Sequence, residues 1–165
     1  MHNSWTRPVE ILLVEDDASS CRLIKESLHG SRIDSHISWV KDGQEAMDFL
    51  THADVHTNAP RPDLIFLDLN MPRKSGLDVL AEIKTDASLK RIPVIVMTAS
   101  CDQVDVNAVY DLHANCYLRK SADFEELSAQ IRLIEDFWFA MVLWPTAEPV
   151  AAGSRVLKKS PFETE

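Results

Sequence analysis

The chain is short of the residues that mark several specialised protein classes. Three cysteines, Cys21, Cys101 and Cys116, are spread through 165 residues. Their odd number and wide spacing argue against a disulfide framework and a zinc site, and suit a reducing cytoplasm. Basic residues are outnumbered, 17 Lys and Arg against 26 Asp and Glu, for a formal net charge of −9. That balance argues against direct DNA binding, which needs a basic surface. No apolar run is long enough to span a bilayer, and the opening MHNSWTRPVE is too polar for a signal peptide. The expectation is a cytoplasmic protein without membrane contact, large enough for one domain with a proper core and short for two.

What the chain does have is a series of short apolar runs that end on polar residues. VEILLVEDD carries a run from Ile11 to Val14 that stops on Glu15, Asp16 and Asp17. Such continuous runs read as parallel strands buried on both faces. Ala18 to His29 places Cys21, Ile24 and Leu28 at helical spacing, with Gly30 as the stop. DSHISWV predicts a second strand, and Asp42 with Glu45 forms the capping box of a second helix. THADVHTNAPRP, with two prolines, predicts a loop. LIFL is the third strand. The following helix runs from about Gly76 to Thr85, with Leu77, Leu80, Ala81 and Lys84 along one face. Val94 to Met97 is a fourth strand ending on Thr98. QVDVNAVYDL is a weak helix, because Val104, Val106 and Val109 lower its propensity. ANCYLRK is a fifth strand, and a long helix starts near Ala122. Strands alternating with helices predict an α/β fold, a doubly wound (βα)5 flavodoxin-like sandwich around a five-stranded parallel sheet.

Right-handed crossovers put every strand's carboxyl end at one edge of such a sheet, where ligands bind. Glu15 and Asp16, Asp68, Thr98 and Lys120 are therefore expected to converge. Taken singly, each has an ordinary explanation: a cap, a turn former, a solvated charge. Asp17 reads equally well as the cap of the first helix. Together, carboxylates without histidine or cysteine form a hard-oxygen site suited to Mg²⁺ or Mn²⁺. A carboxylate beside such an ion can attack phosphorus to give an acyl phosphate, with Lys120 and Thr98 as donors to the transferring group.

ILLVEDD, PDLIFLDLNMPRKSGLDVL, IPVIVMTAS and CYLRKS, taken in order, resemble the receiver domain of two-component response regulators. The resemblance implies a receiver domain over 9–144, an N-terminal extension at 1–8 and a tail at 145–165, expected to be disordered from its Pro, Ala and Ser content. It also implies roles. Asp68 is the phospho-acceptor, Glu15 and Asp16 are the acidic pair that holds Mg²⁺ with Asp68, and Asn70 supplies a backbone carbonyl ligand. Thr98 is the switch hydroxyl, Lys120 the phosphate-binding lysine, Tyr117 the rotating aromatic, and Ala99 the small residue that keeps the site open. Ser121 stands where many members have a proline after a cis bond, so a trans Lys120–Ser121 peptide is expected. THADVHTNAPRPD, LAEIKTDASLKRIPV and LHANCYLRKSADFEELSAQIRLIEDFW are similar to small regulators paired with bacterial and cyanobacterial phytochromes. The partner so implied is a phytochrome-type sensor histidine kinase.

In the last helix, Leu127, Ile131, Ile134, Trp138 and Met141 share a stripe that can face the sheet. Leu133, Phe137, Val142 and Trp144 fall largely off it. Either the tail covers this second set or it is an interface, where aromatics and Met are enriched. The resemblance implies a homodimer through the last helix, the fifth strand and the fourth helix. The competing function is an Mg²⁺-dependent phosphohydrolase with Asp68 as nucleophile. Such enzymes usually want an aspartate two residues on as general acid, a position that Asn70 holds here.

Overall fold

The computed structural model describes residues 7–29 and 34–145. The chain runs β1 (Val9–Val14), α1 (Ala18–His29), β2 (Ser35–Val40), α2 (Gly43–Leu50), a 3-10 turn (Asp54–His56), β3 (Leu64–Leu67), α3 (Gly76–Thr85), β4 (Val94–Thr98), α4 (Gln103–Asp111), β5 (Cys116–Arg119) and α5 (Phe124–Ala140). All five strands are parallel, in the order β2-β1-β3-β4-β5. The fold is the flavodoxin-like (βα)5 sandwich. Its strand order reverses between β1 and β3, the point at which such sheets open a crevice.

Alternation along each strand sends side chains to opposite faces. Leu12, Val14, Ile65, Leu67, Val94 and Val96 meet Ala46, Phe49, Val79, Leu80 and Ile83 in one core. Ile11, Leu13, Leu64, Phe66, Ile95 and Met97 meet Ile24, Leu28, Leu127, Ile131 and Phe139 in the other. Two covered faces explain why the strands read as unbroken apolar runs.

The helix starts follow their caps. The Asp42 carboxylate accepts from the backbone N–H of Gln44 and Glu45, while Glu45 Oε2 accepts from Lys41 N at 2.8 Å, so the expected box forms its first half and sends the return bond one residue ahead of the cap. Asp17 does cap α1, with Oδ2 accepting from Ser20 N at 2.6 Å. Gly30, the expected stop, lies outside the described residues, as do 1–6 and 146–165 of the two terminal segments.

Four expectations need correction. The segment expected to be only a loop contains the 3-10 turn, whose His56 ring packs 5.3 Å from Phe49. It enters through His52 and Asp54 in the left-handed region, at φ 58° and 49°. Helix α3 buries Gly76, Val79, Leu80 and Ile83, an i, i+3, i+4, i+7 set. Leu77, Ala81 and Lys84 are only half-buried, and the inward stripe begins at Gly76, where a Cβ would meet the Asp68 carbonyl oxygen at 2.2 Å. In α5, Met141 is 75% exposed and Phe139 is buried in its place. The helix has ended at Ala140, so helical spacing no longer governs where residue 141 points.

The fourth correction concerns the second apolar set. Leu133 and Phe137 are 70% and 52% exposed, but Val142 and Trp144 are half-buried. After α5 the chain folds back, stacking Trp144 on Phe139 with ring centroids 5.4 Å apart and planes 7° apart. Its indole N–H donates to the Trp138 carbonyl at 2.8 Å.

Candidate functional site

Parallel hydrogen bonding continues one residue past the strands, and that fixes the rim. Glu15 N donates to Val40 O at 3.1 Å, Asp68 N to Val14 O at 3.0 Å, and Lys120 N to Thr98 O at 2.8 Å. The polar residue after each apolar run is thus held by the sheet while its side chain stands in the crevice.

Carboxylate oxygens of Glu15, Asp16 and Asp68 lie within 4.8 Å of one another. Glu15 and Asp68 are buried and Asp16 is exposed. The Lys120 ammonium sits 2.6 Å from Glu15 Oε2 and 3.2 Å from Asp68 Oδ2, and its side chain is only 11% exposed. Asp68 Oδ1 accepts from the Asn70 backbone N–H at 3.3 Å. Thr98, fully buried, accepts at Oγ1 from the Asn70 amide and from Ser100 N, each at 3.4 Å. Ala99 is exposed beside it. The convergence expected of residues 15, 16, 68, 98 and 120 is the one observed. The Lys120–Ser121 peptide is trans, as is every described peptide bond.

Three carboxylates and one ammonium share the site, and burial acts on their ionisation together with their mutual charges. Burial pushes the Glu15 carboxyl up; the Lys120 hydrogen bond opposes this and the Asp68 charge adds to it. For Lys120, burial alone acts downward, but Glu15 and Asp68 together outweigh it and its pKa rises. Both shifts are upward, but for different reasons: burial disfavours the charged form of Glu15, whereas the two neighbouring carboxylates favour the charged form of Lys120. The donor set is all oxygen, converges on one point and opens to solvent at Asp16, where water can complete an octahedron. It fits a hard divalent cation and offers nothing to a soft one.

Tyr117 lies half-buried at the neighbouring edge. Its hydroxyl donates to Ser100 O at 3.0 Å, and its backbone N–H donates to the Tyr110 hydroxyl at 3.3 Å. Thr98 and Tyr117 are therefore both tied to Ser100, one through its N–H and the other through its carbonyl.

Two contacts escaped the sequence reading. The Trp39 indole N–H donates to the Glu15 carbonyl at 2.7 Å. Arg73, left-handed at φ 66°, pairs its guanidinium with the buried Asp42 cap. The second contact ties the β3–α3 loop to the start of α2. There a Cβ on Gly43 would lie 2.4 Å from the Lys74 carbonyl oxygen. Neither contact joins residues close in sequence, so no spacing rule could have found them.

A doubly wound sheet with an acidic cluster, a threonine and a lysine on its carboxyl edge is the architecture of a response regulator receiver domain. That family's model matches residues 11–132, and this chain belongs to the family. The chain is 49% identical over 147 residues to response regulator Rcp1 of Synechocystis sp. (strain ATCC 27184 / PCC 6803 / Kazusa), covering 89% of this chain and 100% of Rcp1. The crystal structure of the Mn²⁺-bound form of Rcp1 covers 84% of this chain and 100% of its own, at 48% identity and a TM-score of 0.81. The phosphorylated cyanobacterial phytochrome response regulator RcpA covers 85% and 100%, at 46% identity and a TM-score of 0.82. The chain is thus a relative of phytochrome response regulators, in the class of two-component signalling proteins. Among the described residues, no helix is long and apolar enough to cross a membrane.

Proposed function

We propose that this chain accepts a phosphoryl group on Asp68 from the phosphohistidine of a phytochrome-type sensor kinase and signals by a conformational change read through protein contacts. The observation that carries this reading is the setting of Asp68. Lys120 meets one carboxylate oxygen and the Asn70 N–H meets the other, beside Glu15 and Asp16.

In the transfer, an Asp68 oxygen attacks phosphorus as the phosphorus–nitrogen bond of the donor breaks. The imidazole leaves with that bond's electron pair, and an acyl phosphate remains. Glu15, Asp16, Asp68 and the Asn70 carbonyl would hold Mg²⁺ or Mn²⁺, which would supply positive charge to relieve repulsion between carboxylate and phosphoryl group. Lys120 follows the charge as it moves onto the phosphoryl oxygens, being already within hydrogen-bond reach of Asp68. The Thr98 hydroxyl turns from the Asn70 amide toward the new phosphoryl oxygen, and Tyr117 takes the vacated space. This is a shift between two packings, and the phosphorylated aspartate must favour one of them to move it.

The receiver unit, residues 9–144, works in the cytoplasm without DNA contact, in keeping with its acidic charge. Its partner for output is a second copy, joined through α4, β5 and α5. Exposed Leu133 and Phe137 on successive turns of α5, with exposed Met141 at its C-cap, support that surface. Val142 and Trp144 would serve at its margin.

The test is phosphotransfer from phytochrome-type kinases to the wild type and to Asp68→Asn. One acid-stable, base-labile phosphate is expected on the wild type and none on the variant. Undiminished labelling of Asp68→Asn would remove the assignment.

A further inference from the structure

We infer that Trp39 is a positioning residue for the acidic cluster: its indole N–H holds the Glu15–Asp16 peptide and so sets the affinity for a divalent cation. This rests on the metal-binding reading of Glu15, Asp16 and Asp68 given above.

The β1–α1 turn needs an outside hold at this point. Bonding between β1 and β2 runs as far as Glu15 N on Val40 O, at 3.1 Å. The N–H that would continue the ladder to the Glu15 carbonyl is that of Asp42, and no such bond is among those described; the Lys41 N–H, on the far side of β2, donates to Glu45 Oε2 at 2.8 Å. It is the Trp39 indole that reaches the Glu15 carbonyl, at 2.7 Å. Because a peptide unit is planar, fixing that carbonyl also fixes the N–H of Asp16 and the plane from which its exposed carboxylate departs. The Glu15 side chain is committed by other contacts, Oε1 accepting from Asp17 N at 3.2 Å and Oε2 meeting Lys120 at 2.6 Å. The Asp16 carboxylate accepts no comparable hydrogen bond among those described, so its backbone is what aims it.

The indole is itself held. The Lys25 ammonium from α1 and the Lys41 ammonium from the β2–α2 turn lie 5.2 and 5.1 Å from its ring centroid. The ring packs, half-buried, against the core shared with α1 and α5. Cation–π contacts at this range orient an aromatic ring, and a donor held in place orients a ligand residue in turn. Groups one step removed from a metal commonly act in this way.

Trp39→Phe keeps an aromatic ring for both lysines and removes only the donor. Mn²⁺ binding to the full chain, followed by the loss of free Mn²⁺ signal in electron paramagnetic resonance, should weaken about fivefold, the effect of one neutral hydrogen bond. Asp16→Asn, run beside it, should lose binding almost entirely. Wild-type Mn²⁺ affinity in Trp39→Phe, with at most a lower metal-free melting temperature, overturns the positioning role and leaves a merely structural indole. If Asp16→Asn also binds as the wild type does, the acidic cluster is not the metal site and both readings fall.

Discussion

Replacing Lys120 by methionine probes the charge balance of the site most directly. The ammonium lies 2.6 Å from Glu15 and 3.2 Å from Asp68, and the two carboxylate side chains are 2% and 9% exposed. At an effective dielectric of about 20, each attraction is worth roughly 5 to 6 kcal/mol before desolvation. Methionine spares the desolvation of the ammonium but strands two buried carboxylates next to Asp16. Breaking a buried pair in this way costs about 3 kcal/mol net. For a fold of this size, that lowers the melting temperature by roughly 10 °C.

The deficit depends on pH in a definite sense. The folded pKa of Glu15 is already raised above the ordinary 4.5. The folded state therefore binds more protons than the unfolded one between those two values, and stability falls as pH climbs through that window. Without Lys120 the folded value moves higher still and the window widens. The variant should trail the wild type most at pH 8 in EDTA and least below about pH 4.5, where Glu15 is protonated in either state. Added Mg²⁺ should recover part of the loss at pH 8 by supplying the missing positive charge. Calorimetry across that range is the assay. Coincident melting curves for the two proteins at pH 8 without metal would refute the charge-balance account.

Asp16→Asn should raise metal-free stability slightly by easing carboxylate repulsion, and should erase the stabilisation that Mg²⁺ gives the wild type; thermal melts with and without Mg²⁺ read both effects. Thr98→Ala should still take phosphate on Asp68 but lose the accompanying change around Tyr117. A wild-type change in Tyr117 environment, seen in beryllofluoride-treated Thr98→Ala, would place the coupling elsewhere. Phe137→Ala should shift the chain toward monomer in sedimentation while Asp68 phosphorylation persists. An aromatic anchor worth about 2 kcal/mol corresponds to a roughly thirtyfold weaker dimer. A wild type that stays monomeric at tens of micromolar, phosphorylated or not, would retire the α5 interface. Gly76→Ala should destabilise the fold and disturb Asp68 together, since a Cβ there would lie 2.2 Å from the Asp68 carbonyl oxygen.

The strands were legible because burial on both faces leaves an unbroken apolar run with a polar stop, and the stop residues are the site. Glu15, Asp68, Thr98 and Lys120 could be placed together without any contact information, because parallel topology brings every strand end to one edge. Helix faces were less legible. In α3, two overlapping stripes, 77/80/81/84 and 76/79/80/83, both satisfy helical spacing, and the second, which starts at the close approach of Gly76 to Asp68, is the one buried. In α5, periodicity ran past the real end of the helix, so Met141 was placed inward and Phe139 was overlooked. Trp144 was read only as part of a set off the sheet-facing stripe, though its partner is the ring of Phe139, reached after the chain turns back.

The approach of Gly43 to the Lys74 carbonyl bears on how this sequence can drift. A methyl group at residue 43 would sit 2.4 Å from that oxygen and 2.7 Å from a Val79 methyl. The oxygen belongs to backbone and the methyl to a packed core residue, so neither can step aside cheaply. Position 43 is closed to every side chain on packing grounds alone, whatever signal the protein carries. A lineage that replaced this glycine would first have to rebuild the loop leaving Asp68, so a turn remote from the chemistry constrains the sequence as firmly as the carboxylates do.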